Sequence, residues 1–187
     1  MRVRAAAVAA IGTAAAAWPA PAADPQAAAF RLWFGGVPAG VVETSLERDG
    51  AAYAFAARGT PARWLSLLFS AELRAEGEGE LPRPRRFLAV VAFGDDRQRV
   101  EVRRDADGRP AVSAEPPFRP RPWQIDPASQ GDAGDPVSVA AALLTPAPAA
   151  ARCGATWDVF DGRRRSRLAL GPAERTEAGG WRCRGSW

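Results

Sequence analysis

From Phe30 onward, apolar and polar residues alternate in short runs, and Gly, Pro or Asp-Gly separates one run from the next. Phe30, Leu32 and Phe34 alternate with Arg31 and Trp33 before Gly35-Gly36. Over 41–47, Val42, Thr44 and Leu46 fall on one side, and Glu43, Ser45 and Glu47 on the other. A period of two sends successive side chains to opposite faces of a strand, so each run predicts a half-buried strand. Asp49-Gly50 tolerates the positive φ of a type I′ hairpin turn, and Tyr53 and Phe55 mark the returning strand.

The alternation recurs in Ala71, Leu73 and Ala75 against Glu72, Arg74 and Glu76, and in Val100 and Val102 against Arg99, Glu101 and Arg103. Residues 87–93 are apolar on both faces, the pattern of a buried central strand. Asp107-Gly108 closes the run at Val100 and Val102, and Asp161-Gly162 separates 156–160 from 163–170. Asp-Gly turns between alternating runs predict an antiparallel meander.

Two segments break the pattern. Asp135-Pro136-Val137-Ser138-Val139 predicts a short helix over about 135–144, because Asp135 can cap free N–H groups and Pro136 fits the first turn. Pro146 and Pro148 end it. Thr60-Pro61 opens a second helical turn carrying Trp64, Leu65, Leu67, Leu68 and Phe69. Residues 114–122, with Pro116, Pro117, Pro120 and Pro122, predict a loop or extended edge.

So many strands must pack in two layers or partly close to bury their apolar faces. The expected fold is therefore mainly β: an antiparallel meander forming an open barrel or a curved sheet or sandwich, with one short helix packed on it. It occupies a single domain, 24–187.

Residues 1–23 have a different character. Arg2 and Arg4 precede an apolar stretch over 5–17, and small residues close the segment before Asp24. A positive start, a short apolar core and an A-x-A ending define a secretory signal peptide, with cleavage near Ala22 or Ala23. The stretch is too short for a retained anchor, which needs about 20 apolar residues. The expected location is periplasmic or secreted, with no transmembrane helix in the mature chain.

That address alters the reading of composition. The formal charge of +4 falls by two when Arg2 and Arg4 leave. Every basic residue is Arg, while Lys, His and Asn are absent, as a GC-rich coding bias would produce. Because Arg alternates with Glu and Asp rather than clustering on a basic face, no nucleic-acid partner is expected. Cys153 and Cys183 become a candidate disulfide in an oxidising compartment. Closing a loop of about 30 residues stabilises a fold by roughly 3–4 kcal/mol.

Candidate chemistry is sparse. Without histidine or lysine there is no Ser–His, Cys–His or Ser–Lys arrangement, and two cysteines cannot complete a zinc shell. No catalytic residue, metal ligand or cofactor is assigned. Carboxylate chemistry leaves Asp126, Asp132, Asp135, Asp158 and Asp161, of which Asp135 reads as a helix cap and Asp161 as a turn residue. Asp158 sits mid-strand, as a partner for one of Arg163, Arg164 and Arg165 or as an acid of a hydrolytic site. Asp105-Ala106-Asp107-Gly108 resembles part of an EF-hand loop, but that register puts Arg103 and Ala114 at its ligand-bearing ends. It predicts a hairpin turn instead.

The apolar segment Trp64, Leu65, Leu67, Leu68 and Phe69 is the candidate surface for an apolar ligand or partner, or else a plug completing the core.

The order of several motifs resembles a bacterial exported family, "domain of unknown function 3108". They are Phe34-Gly35-Gly36-Val37-Pro38-Ala39-Gly40, residues 77–84 before a strand, Asp135-Pro136-Val137-Ser138 and Val159-Phe160-Asp161-Gly162-Arg163-Arg164. The resemblance runs from about Phe30 to Trp187 and implies an envelope location and a β-rich fold, with no assigned activity. Members tend to continue beyond the last cysteine, so the chain is expected to be truncated at its C-terminus. The expected function is non-catalytic binding or scaffolding of an envelope component, including an apolar small molecule or lipid. The alternative is a carboxylate-dependent hydrolase of cell-wall or polysaccharide substrates.

Overall fold

The structure, a computed structural model, describes residues 26–66, 70–145, 152–177 and 179–186. Seven strands, β1 (Gln26–Phe34), β2 (Val37–Asp49), β3 (Ala52–Pro61), β4 (Ala71–Glu80), β5 (Arg83–Phe93), β6 (Asp96–Arg104) and β7 (Pro110–Glu115), pair antiparallel in chain order. Strands β1 and β7 remain as the two edges, so the sheet does not close into a barrel. One helical turn, α1 (Arg63–Ser66), connects β3 to β4, and helix α2 (Pro136–Leu144) lies against β3, β4 and β5. Strands β8 (Thr156–Phe160) and β9 (Arg165–Leu170) form a second sheet. After the short pair β10 (Glu174–Arg175) and β11 (Trp181–Arg182), β12 (Gly185–Ser186) joins it beside β9. This is the mainly β meander with one packed helix that the alternation predicts.

The core forms along one row of the sheet. Register places Leu46, Phe55, Gly77, Phe87, Val102 and Val112 side by side across β2 to β7. Val137, Ala141 and Phe160 pack on this row together with Tyr53 and Ala133. Gly77 leaves a gap where α2 rests, since a Cβ there would come within 2.6 Å of Val137 Cγ1. The helix starts where its cap dictates. Asp135 Oδ1 accepts from the Ser138 N–H at 2.7 Å, Ser138 Oγ accepts from the Asp135 N–H at 2.9 Å, and Pro136 follows the cap. These bonds satisfy donors that a helix start otherwise leaves open.

Three expectations are corrected by register. Asp49 stays in the ladder opposite Ala52, so the turn residues are Gly50 and Ala51. Only Gly50 has positive φ (58°), the signature of a type II′ turn rather than type I′. Thr60 and Pro61 pair with Val41 and Gly40 instead of opening a helix, because the ladder with β2 continues past them, and α1 begins at Arg63. Strand β5 buries Phe87, Leu88 and Val90, but Val91 and Phe93 are exposed. Leu88 and Val90 face away from α2, beside Glu76, Glu101, Arg74 and Arg99, whose aliphatic stems can cover them.

At the other end of the chain, the expected Cys153–Cys183 disulfide is formed, with a Cα–Cα distance of 5.5 Å. Alongside it, the Gly154 N–H donates to Gly171 O and the Gly171 N–H to Arg184 O, so the clamp fastens β12 to the end of β9. Among the described residues, no helix is long and apolar enough to cross a membrane. The leader-like segment 1–23 lies outside the described residues.

Candidate functional site

The apolar face that α2 covers continues beyond the helix toward α1. There, register sets Leu32 beside Gly40, Gly40 beside Pro61, Gly59 beside Leu73, Leu73 beside Val91 and Ala71 beside Phe93. Among the described residues, no helix lies over this end. The result is an open apolar groove of about 530 Å³, with Trp64 and Leu65 of α1 as one wall. Leu32, Leu73, Val91 and Phe93 in its lining are 44%, 38%, 48% and 57% exposed, where side chains of this kind are normally buried. The volume falls within the roughly 300–1,000 Å³ of small-molecule sites.

Two contacts hold α1 in place. The Ala62 N–H donates to Ala39 O at 2.8 Å, and Trp64 Nε1 donates to Pro38 O at 2.8 Å. The indole therefore spends its polar atom on β2 and turns the rest of the ring to the groove wall. At the floor, Gly59 has no side chain, and a Cβ there would approach Leu73 Cβ to 2.8 Å.

Trp64 and Leu65 thus line an apolar site, while Leu67, Leu68 and Phe69 lie outside the described residues. The sequence reading missed Leu32, Leu73, Val91 and Phe93 as site residues. Their alternation in the sequence predicts a buried face, and the reach of α2 shows which end of that face stays open among the described residues.

The candidate carboxylates all have structural partners. Asp126 Oδ1 accepts from the Ala128 N–H and caps a short 3-10 turn, Pro127–Ser129. Asp161 Oδ1 accepts from the Arg163 and Arg164 N–H groups at 2.9 Å each, as expected of a turn residue. Asp158 is gripped by Arg167 Nε at 2.9 Å and Arg165 Nη2 at 2.8 Å. Arg165 is the partner foreseen among 163–165, and Arg167 joins it. The same Arg165 forks onto Asp132 at 2.9 and 2.8 Å. These guanidiniums, Arg167 first, hold the Asp158 carboxyl down at about 2. Such a group has no proton to donate near neutrality. None of the five carboxylates lines the groove, and Asp105 closes its hairpin by accepting from the Asp107 and Arg109 N–H groups.

A buried polar cluster lies beneath the start of α2. Burial lifts the Asp135 carboxyl from its ordinary 3.8 to about 6, against the opposing pull of the Ser138 N–H and Arg104. Burial likewise raises the Tyr53 hydroxyl, with Asp135 adding to the effect. That hydroxyl sits among Asp135, Ser138 and Arg104 without closing a hydrogen bond. Arg104 donates to Gly108 O, Gln130 O and Ala133 O at 3.0, 3.0 and 2.6 Å, which ties the loop before α2 to β6. The cluster positions the helix. Among the described residues, no group of His, Cys, Asp and Glu is arranged to hold a metal ion.

Fold and site together define a helix-covered antiparallel meander with an open apolar groove at one end of its core face. In comparisons with protein-family models, curated proteins and solved structures, nothing matches the chain.

Proposed function

We propose that this chain is an exported envelope protein that binds an apolar ligand, of the acyl-chain kind, in the groove between α1 and the open end of the sheet. The observation that carries this reading is the uncovered stretch of core face at Leu32, Leu73, Val91 and Phe93, where apolar side chains form a walled hollow rather than scattered surface residues. The leader-like segment 1–23, the Cys153–Cys183 bond and the likeness to an exported family support an oxidising envelope compartment. The hydrolase alternative gains nothing from Asp158, which is held ionised by Arg167 and Arg165.

The test uses the neutral apolar probe N-phenyl-1-naphthylamine, whose fluorescence rises on leaving water. It is expected to bind the protein saturably at one site. Leu73→Glu and Val91→Glu place a charge on the groove floor at partly exposed positions, so they should weaken binding at least about tenfold. Their effect on folding stability should stay small, about 0.5 kcal/mol. Absence of saturable binding, or equal binding by both variants, would defeat the reading.

A further inference from the structure

We propose that the proline-rich loop after β7, together with Arg163, docks the protein on an anionic phospholipid surface. The inference does not depend on a ligand in the groove. Residues 116–125 carry Arg119, Arg121 and Trp123 and contain no acid, so the alternation of Arg with Glu and Asp stops here. Arg163 lies 44 residues beyond Arg119 and completes the patch, its Nη2 donating to Arg119 O at 2.9 Å. Its guanidinium carbon is 4.9 Å from the centre of the Phe118 ring and 4.6 Å from that of Trp123. The Ile125 N–H in turn donates to Arg163 O at 3.3 Å, so the loop and the turn after β8 hold each other.

Arg119 and Arg121 are exposed, and their guanidiniums make no hydrogen bond or ion pair with any described residue. Arg163 likewise meets no carboxylate among the described residues. The acids nearest in sequence are turned away or occupied. Glu115 stands beside Arg99 on the sheet face away from α2, and Asp126 Oδ1 accepts from the Ala128 N–H. Asp161 accepts from the Arg163 and Arg164 N–H groups and from Arg164 Nε. Positive charge on the loop is therefore uncompensated, and phosphate oxygens can accept charge-assisted hydrogen bonds from it.

Charge alone would suit any polyanion; Trp123 and the prolines favour a bilayer. One side of the Trp123 indole rests on Arg163 while half of the residue stays exposed. Indoles favour the head-group level of a bilayer, where an apolar ring and a polar N–H each find a match. Pro116, Pro117, Pro120 and Pro122 have no N–H to leave unsatisfied there, and their fixed φ holds the display in shape before contact. The loop also starts close to the groove. Gln98 pairs with Val91 of the groove lining, and its Nε2 donates to Pro116 O at 2.8 Å. The chain thus leaves the sheet two strand positions from Val91, about 10 Å at about 4.8 Å per strand.

The experiment sediments the protein with vesicles of phosphatidylcholine, either alone or mixed with phosphatidylglycerol. Binding to the anionic vesicles should be at least about tenfold tighter and should weaken as added salt screens the charges. An arginine close to an anionic bilayer adds roughly fivefold in affinity. The Arg119→Glu, Arg121→Glu double variant should therefore bind these vesicles at least about twentyfold more weakly, with an unchanged unfolding midpoint. Parent and variant share residues 1–23, so the difference between them reports on the loop. Soluble polyphosphate at matched phosphate concentration should bind the parent at least about tenfold more weakly than the anionic vesicles do. Equal binding to both vesicle types, or undiminished binding by the double variant, would overturn the inference. Polyphosphate binding as tight as vesicle binding would overturn it too, assigning the patch to a soluble polyanion. Saturable binding of N-phenyl-1-naphthylamine alongside any of these results leaves the groove reading standing.

Discussion

The two ends of one sheet face carry the same apolar alternation and reach opposite outcomes. Under α2, Leu46 and Val102 are 0% and 1% exposed; toward α1, Leu73 and Val91 are 38% and 48% exposed. All four belong to the same face of the same sheet. What differs is the cover. The nine residues of α2 span only about 13 Å at 1.5 Å each, whereas the ten of β3 span about 34 Å. Such a helix can bury one stretch of the strands and must leave another, which α1 walls without roofing. Alternation therefore says which face is apolar, and the length of the covering element says how much of it becomes core.

The largest expected effect tests this contrast directly. Phe160→Ala removes a fully buried ring from beneath the covered end and should cost about 3–5 kcal/mol, whereas Phe93→Ala in the groove should cost less than about 1. Denaturant midpoints measured on both variants check it; similar losses would mean that the two ends are one continuous core. Next comes the clamp. Replacing Cys153 and Cys183 by Ser should lower stability by about 3–4 kcal/mol, read from thermal unfolding with and without reductant. An unchanged unfolding temperature would show that the covered end holds without the clamp.

A somewhat smaller effect comes from the buried cap. Because the folded state raises the Asp135 carboxyl from 3.8 to about 6, it binds this proton more tightly than the unfolded chain does. Stability from this group is therefore fully present below about pH 4 and is lost as pH rises through 6, by up to about 3 kcal/mol. Glu101, held at about 2 mainly by Arg86, and Asp158 act in the opposite sense, losing their contribution as pH falls below about 5. The window between about 5 and 7 thus isolates Asp135. Asp135→Asn keeps a capping oxygen and should flatten unfolding curves across that window; a slope equal to that of the parent would place the titration elsewhere.

Much of the molecule was legible before its coordinates. The strand alternation, the capped helix after Asp135, the hairpin at Asp107-Gly108 and the cysteine pair all follow from local rules acting over a few residues, or from compartment chemistry. The errors were local too. At Asp49-Gly50 and Thr60-Pro61, ladder pairing with a neighbouring strand overrode what the turn residues favoured by themselves. The site was half visible: Trp64 and Leu65 stood out as an apolar run, but Leu73, Val91 and Phe93 looked like ordinary core positions.

By itself, then, the sequence determined the period of each segment, the sign and type of each side chain and the positions of its breaks, because these depend on neighbours along the chain. Only the tertiary structure decided where α2 comes to rest. Its position depends on the gap at Gly77, the bond network around Asp135 and the register of β2 to β6, which join residues far apart in sequence. That resting place divides an otherwise uniform apolar face into a core and a groove.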